Sequence, residues 1–173
     1  MQTPESHVFT SILEESNNKL WGAHFAVPDV VARIFSDGND RRVVCILNEK
    51  VEYQCALLPK GDGSFLITVN KKTRNQLGLK PGSKVNVSLR EDESEYGLPM
   101  PEELAEVLAQ DETGNCLFHL LTPGKIRTLL YIAGNVKAPE KRIGRAIAIV
   151  EHLKKNDGKI NYRQLNEDLR DSP

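Results

Sequence analysis

The residues able to do chemistry at neutral pH are few and scattered. Four histidines (His7, His24, His119, His152) and three cysteines (Cys45, Cys55, Cys116) occur in the 173-residue chain. None falls in the H-x-x-x-H or C-x-x-C spacing that brings two ligands to one metal, so no metal site is expected. An odd number of singly placed cysteines also argues against a disulfide framework and points to a reducing cytoplasm. Cys45 lies in the stretch VVCIL, where its neighbours are those of a buried strand, and a core role fits it better than a reactive thiol. Ser11, Ser64 and Ser83 stand in no nucleophile-elbow context. The loop Pro59-Lys60-Gly61-Asp62-Gly63 separates two strand-like stretches, whereas a phosphate cradle runs into a helix N-terminus, so a hairpin loop is expected. Glu102-Glu103 open a helical pattern, where carboxylates favour the helix dipole rather than acid–base chemistry. No catalytic residue and no cofactor is expected.

Only the cations form groups. Lys141, Arg145, His152 and Lys155 are spaced by four, seven and three residues, which puts them on one stripe of a helix, away from an apolar seam of Ile143, Ile147 and Val150. Arg142 sits beside the stripe, and Lys125 and Arg127 add to it from the preceding helical stretch. Such a patch suits a phosphate-containing ligand or an acidic protein surface. The plainer alternative is a solvated helix face turned toward the chain's own acidic segment. A second group, Lys71, Lys72, Arg74, Lys80 and Lys84, would serve DNA binding. Its counterpart near Asp29–Phe35 offers only Arg33, and a duplex reader with twofold symmetry wants both halves basic.

These groups need elements to hold them. Alternation and turn residues predict strands over Val8–Leu13, Gly22–Val27, Arg42–Leu47, Val51–Leu58, Phe65–Val69 and Val85–Leu89. Short helices follow Pro28 and Asn70, the first broken at Ser36–Asp40. Gly78 suits a left-handed helix stop, and Lys80-Pro81-Gly82-Ser83 has the residues of a type II turn. From Pro101 the apolar period becomes helical. Helices are predicted to start at Pro101, Pro123 and Pro139, with a last one capped by Asn161. Ile143, Ile147, Val150 and Leu153 are the expected buried face of the longest. The class is therefore α+β.

Charge is distributed unevenly although the net charge is −1. Glu91–Glu112 contains nine acidic residues and no basic one, while Lys125–Lys159 contains nine Lys or Arg and three acids. The near-neutral total removes any whole-chain drive toward nucleic acid. No apolar run reaches membrane-spanning length and no signal-peptide pattern opens the sequence, so a cytoplasmic location is expected.

The strand-rich part repeats itself. HFAVPDVVARIF followed by RRVVCIL matches LITVNKKTRNQL followed by KVNVSL in order of elements, with Val27-Pro28 corresponding to Val69-Asn70 at an offset of 42. Two such strand–helix–strand halves, neither able to bury both faces alone, would close a small double-split barrel within one chain. The second half, ITVNKKTRNQLGLKPGSKVNVSL, resembles the half-barrel of AbrB/MazE-type transcription regulators. Residues 7–92, through WGAHFAVP, RRVVCILN and ALLPKGDGSFLITVNKKTRNQLGL, resemble a bacterial domain family of unknown function with this barrel. MPEELAEVL, LTPGKIRTLLYIAG and EKRIGRAIAIVEHLKKNDGKI resemble the YdeI/OmpD-associated, or bacteriocin-protection, family. The resemblance implies a pseudo-dimeric barrel over 1–96 and a helical domain over 97–173. It implies no activity and transfers no site residue. A monomeric, non-enzymatic binding or adaptor protein is expected, its partner docked through the basic C-terminal helices. The alternatives are a DNA-binding regulator acting through the barrel and an enzyme or binder for a small anionic ligand held between the domains.

Overall fold

A computed structural model describes residues 4–17, 21–38 and 41–172. The chain divides into two compact units, Met1–Glu93 and Ser94–Pro173. Antiparallel sheets make the first and helices the second, the α+β arrangement expected.

The first unit has eight strands: β1 (His7–Ile12), β2 (Glu14–Glu15), β3 (Ala23–Val27), β4 (Arg42–Leu47), β5 (Val51–Ala56), β6 (Leu58–Pro59), β7 (Phe65–Thr68) and β8 (Lys84–Glu91), with α1 (Asp29–Ser36) and α2 (Lys71–Leu77) between them. They form two four-stranded antiparallel sheets, ordered β1-β8-β4-β5 and β2-β3-β7-β6. The repeat is larger than the sequence suggests. Each half is a bent ribbon, then strand, helix and strand, and each half's first strand pairs with the last strand of the other repeat or its own neighbour across the twofold order. Leu13 and Leu57 sit at the bends, both buried, so one ribbon leaves one sheet and enters the other at each of these residues. Both bends are tied alike: Leu13 N–H donates to the Ser83 carbonyl at 2.8 Å, and Leu57 N–H to the Arg41 carbonyl at 2.9 Å. Ser83 and Arg41 are themselves 42 residues apart, so the repeat reaches individual hydrogen bonds.

Side-chain alternation explains the core. Val85, Val87 and Leu89 point inward from β8 and meet Phe25, Leu47, Cys45 and Ile67 in one cluster, while Lys84 and Asn86 face out. Burying one such aliphatic or aromatic side chain contributes about 1.5–3 kcal/mol. The half-buried alternation expected for β7 is not found: Leu66 is as buried as Ile67, so both faces of this strand are covered. Asn70 caps α2 by accepting from Thr73 N–H at 2.8 Å, and Gly78 ends it in the left-handed conformation. The expected break after α1 includes Asn39 and Asp40, which lie outside the described residues.

The second unit has five helices: α3 (Glu102–Gln110), α4 (Glu112–His119), α5 (Pro123–Gly134), α6 (Pro139–Lys155) and α7 (Tyr162–Asp171). α3, α5, α6 and α7 begin where proline or a capping asparagine predicts. α4 has no counterpart in the sequence reading. Asp111 makes it: its N–H donates to the Val107 carbonyl at the end of α3, while its side chain accepts from Gly114 N–H at 2.8 Å at the start of α4. Gly114 lets α4 approach α6, because a Cβ there would overlap Cγ1 of Val150. The core gathers Leu104, Leu108, Phe118, Leu129, Ala146, Ile149, Val150, Leu153 and Leu165.

Gly82 has φ of 90°, as the turn chemistry requires, and its N–H donates to the Leu13 carbonyl at 2.7 Å while Ser83 N–H closes the turn on Lys80. A β-branched side chain there is strained in a position that also ties a ribbon bend. Gly82→Val is expected to cost about 1–2 kcal/mol or more in chemical denaturation; an unchanged midpoint would contradict the turn.

Candidate functional site

The predicted basic stripe lies on α6, and the structure uses half of it internally. His152 is 2 % exposed and belongs to the interior, not the surface. Its Nε2 accepts from the Asn161 N–H at 3.1 Å, so the ring proton is on Nδ1, which donates to Asp168 Oδ2 at 3.0 Å. One ring thus ties the start and the middle of α7 to α6. Arg145 donates from Nη1 to the Ile132 carbonyl at 2.7 Å, and Arg142 from Nη1 to the Val136 and Lys137 carbonyls at 3.2 and 2.9 Å. α5 has no basic residue in its own last turn. Two arginines of α6 therefore satisfy carbonyls at and just beyond its C-terminus, where cations are favoured. Arg142 also pairs through Nε with Glu103 at 2.8 Å. Arg145 was expected to face water and does not do so freely. Lys141, Lys155 and Lys125 are exposed and Arg127 is half-buried; among the described residues none of these four has an ion-pair partner.

The apolar seam is also turned. Ile143 and Ile147, expected inward, are 46 % and 48 % exposed, and the core face of α6 is Ala146, Ile149, Val150 and Leu153. At about 100° per residue, the true buried face is rotated by roughly 50° from the expected one. Ile143 and Ile147 instead line a depression of about 520 Å³ with Val107, Glu102, Glu103, Glu106 and Gln110 of α3. Ile147 also borders a second depression, about 580 Å³, over Gly144 and Ala148 beside α7. Glu102 and Glu103 border a third, about 540 Å³, with Leu98, Leu130 and Tyr131. Shared lining residues join the three into one open trough along α6.

The first unit carries the other predicted group. Lys71, Lys72, Lys80 and Lys84 are exposed and Arg74 is half-buried. Under the repeat, Lys71 and Lys72 correspond to Asp29 and Val30, so charge is not repeated across the twofold. α1 presents Val30 and Ile34 to solvent instead. Residues 9–89 match a family model. It is described as a domain of unknown function, DUF1905. No curated protein matches the chain. The DUF1905 match runs from within β1 to within β8 and so takes in both halves of the repeat.

Inside the DUF1905 region the titratable cluster is structural. Tyr53, Cys45 and Cys55 lie on neighbouring strands, with Cys45 opposite Tyr53 and Cys55 opposite Val43. Burial first, then the two thiols, push the Tyr53 phenol well above its ordinary value, and its O–H donates to the Thr68 carbonyl at 3.3 Å. The hydrogen bond with Cys45 and then burial raise the Cys55 thiol. Neither group is poised as a nucleophile. Among the described residues, no three His, Cys, Asp or Glu side chains are grouped to hold a metal ion, and no helix is long and apolar enough to cross a membrane.

Two ion pairs link the acidic segment to α6. Lys154 Nζ lies 2.7 Å from Asp111 Oδ2, and Arg142 pairs with Glu103. Lys154, then the Gly114 N–H, hold Asp111 below its ordinary value; its own backbone N–H, then Arg142, do so for Glu103. Folded-state values below the unfolded ones mean stability that is present at neutral pH and is lost as pH falls through the folded values. The helical unit is therefore expected to lose stability below about pH 4, and Asp111→Asn to flatten that loss; thermal melts from pH 6 to 3 check it. His152→Leu, which strands the Asn161 N–H, is expected to cost about 1–3 kcal/mol and to speed amide exchange in α7 ahead of the β unit. A variant as stable as the parent would show that the ring does not hold α7.

Proposed function

We propose that the chain is a non-enzymatic binding protein whose helical unit docks a partner along α6. The observation that carries this reading is the exposure of Ile143 and Ile147, one turn apart on the same helix, in a trough floored by small and apolar residues. Single exposed aliphatic side chains are ordinary; a concave row of them is what a docking surface needs. The cations first expected to meet a partner contribute less than their spacing suggests, because Arg142, Arg145 and His152 are engaged within the unit. Lys141 and Lys155 remain for contacts at its margin.

On this reading the β unit is an AbrB/MazE-like pseudo-dimer and the helical unit a YdeI/OmpD-associated-like module. The interleaved strand order and the shared bends support the first; the motifs around Leu104, Pro123 and Ile143 support the second. DNA binding through the β unit is the alternative, favoured by four exposed lysines on and after α2. The unmatched Asp29 and Val30 weigh against it, since a symmetric duplex reader needs both helices to meet phosphates.

A photoreactive residue at Gln110, on the trough rim, is expected to give one discrete protein adduct in cells, lost on Ile143→Ser/Ile147→Ser and absent when the probe is moved to exposed Lys159. No adduct, or one indifferent to the two isoleucines, would end the proposal. Salt-dependent duplex binding that disappears with Lys71, Lys72, Lys80 and Lys84 changed to Gln would establish the alternative.

A further inference from the structure

The charge around the trough specifies its occupant. Its apolar strip is Val107, Ile143 and Ile147, and the exposed carboxylates beside that strip are Glu102 and Glu106 on α3 and Glu151 on α6. Glu106 accepts from Gln110 at 2.6 Å and Glu151 is shared with Lys154 at 2.9 Å, so both are held at the rim with oxygen lone pairs to spare. The cations near the trough do not reverse this field. Arg142 is matched by Glu103 and two carbonyls, and Lys155 stands at the far end near Asp168 and Asp171. A phosphate, a nucleic acid or an acidic surface would face carboxylates over the whole strip.

The shape restricts the occupant further. Three open depressions joined along one 17-residue helix, about 25 Å of axis, suit a segment rather than a compact small molecule. Resting on the binding role proposed above, we infer that the trough takes a basic amphipathic helix of a partner protein, whose apolar face covers Ile143 and Ile147 while its lysines or arginines meet Glu102, Glu106 and Glu151.

Two 16-residue peptides serve as probes. Both place Leu at i, i+3, i+4 and i+7; one carries Lys at its flanking positions and the other Glu. Binding to the full chain is followed by fluorescence anisotropy at low and high salt. The Lys peptide is expected to bind and the Glu peptide to bind at least tenfold more weakly. Ile143→Ser/Ile147→Ser should weaken the Lys peptide at least tenfold at unchanged charge. Glu102→Gln/Glu106→Gln/Glu151→Gln should weaken it severalfold and flatten its salt dependence. Circular dichroism melts confirm that each variant is folded, and an Ile143→Val/Ile147→Val variant should retain binding. Equal binding of both peptides, or Lys-peptide binding indifferent to the isoleucines, overturns the inference. So does an in-cell adduct at Gln110 that maps to an acidic segment or to a second copy of this chain; in that case the docking role survives and only the occupant is wrong. Absence of any adduct removes the docking role itself.

Discussion

α6 packs against α3, α4, α5 and α7, so the rotation of this one helix about its axis decides which of its side chains reach water. Four neighbours cannot all be satisfied by one apolar stripe. Ala146, Ile149, Val150 and Leu153 fill the centre of the unit. Gly144 is buried without a side chain, and Gly114 on α4 makes room for Val150. Polar residues finish the contacts on the remaining sides: Arg142 and Arg145 on carbonyls at the end of α5, His152 on α7, Lys154 on Asp111 between α3 and α4. Each lies on a face that the wheel of α6 alone assigns to solvent. The helix is held by its outer charges as well as by its apolar side, and what is left over is the pair Ile143 and Ile147.

This explains which parts of the unit were legible. The starts of α3, α5, α6 and α7 are local matters, set by a proline or by Asn161 reaching Gln164 N–H, and the sequence shows them. The rotation of α6 is not local. Hydrophobic spacing locates an apolar arc, but Ile143 and Ile147 at one side of it and Ala146 and Ile149 at the other compete, and only the neighbours settle the matter. The same holds for His152: nothing in its flanking residues reveals that Asn161, nine positions on, will present an N–H to it. α4 was missed because Thr113, Gly114 and Asn115 are poor helix formers; a cap at Asp111 and a tight fit against Val150 override them. The trough had one sequence signal, two isoleucines at i and i+4 on a helix with too many apolar positions for one face.

In the β unit the dependence runs between halves. The order β1-β8-β4-β5 makes the first and last strands of the unit partners, with β4 joining β8 to β5, and the second sheet puts β3 beside β7. Neither half retains its core without the other. The repeat could be read from the order of elements because strand–helix–strand recurs with its caps and turns. The bends at Leu13 and Leu57 were less visible, since a strand that changes sheets looks in sequence like one strand or like a strand and a loop. The hydrogen bonds at Ser83 and Arg41 are the evidence that the halves are equivalent in detail. Equivalence of fold and divergence of surface then coexist: Lys71 and Lys72 stand where Asp29 and Val30 stand in the other half.

The acidic segment and the cations of α5 and α6 looked in sequence like two ends of a dipole. In the folded unit they are partly cancelled against each other, Glu103 by Arg142 and Asp111 by Lys154, at the seams where α3 and α4 meet α6. Cancellation is incomplete because an α-helix shows different residues to different neighbours. The carboxylates on the α6 side of α3 find cations, while Glu102 and Glu106 lie farther along the outer edge. Negative potential therefore persists beside the isoleucine strip, and positive potential survives at Lys141 and Lys155 on another side of the same helix. Apolar surface flanked by uncompensated charge of one sign is poorly suited to self-association, since a second copy would bring the same sign with it. It is well suited to a complement of opposite sign, whose charges are attracted before its apolar side chains are in contact.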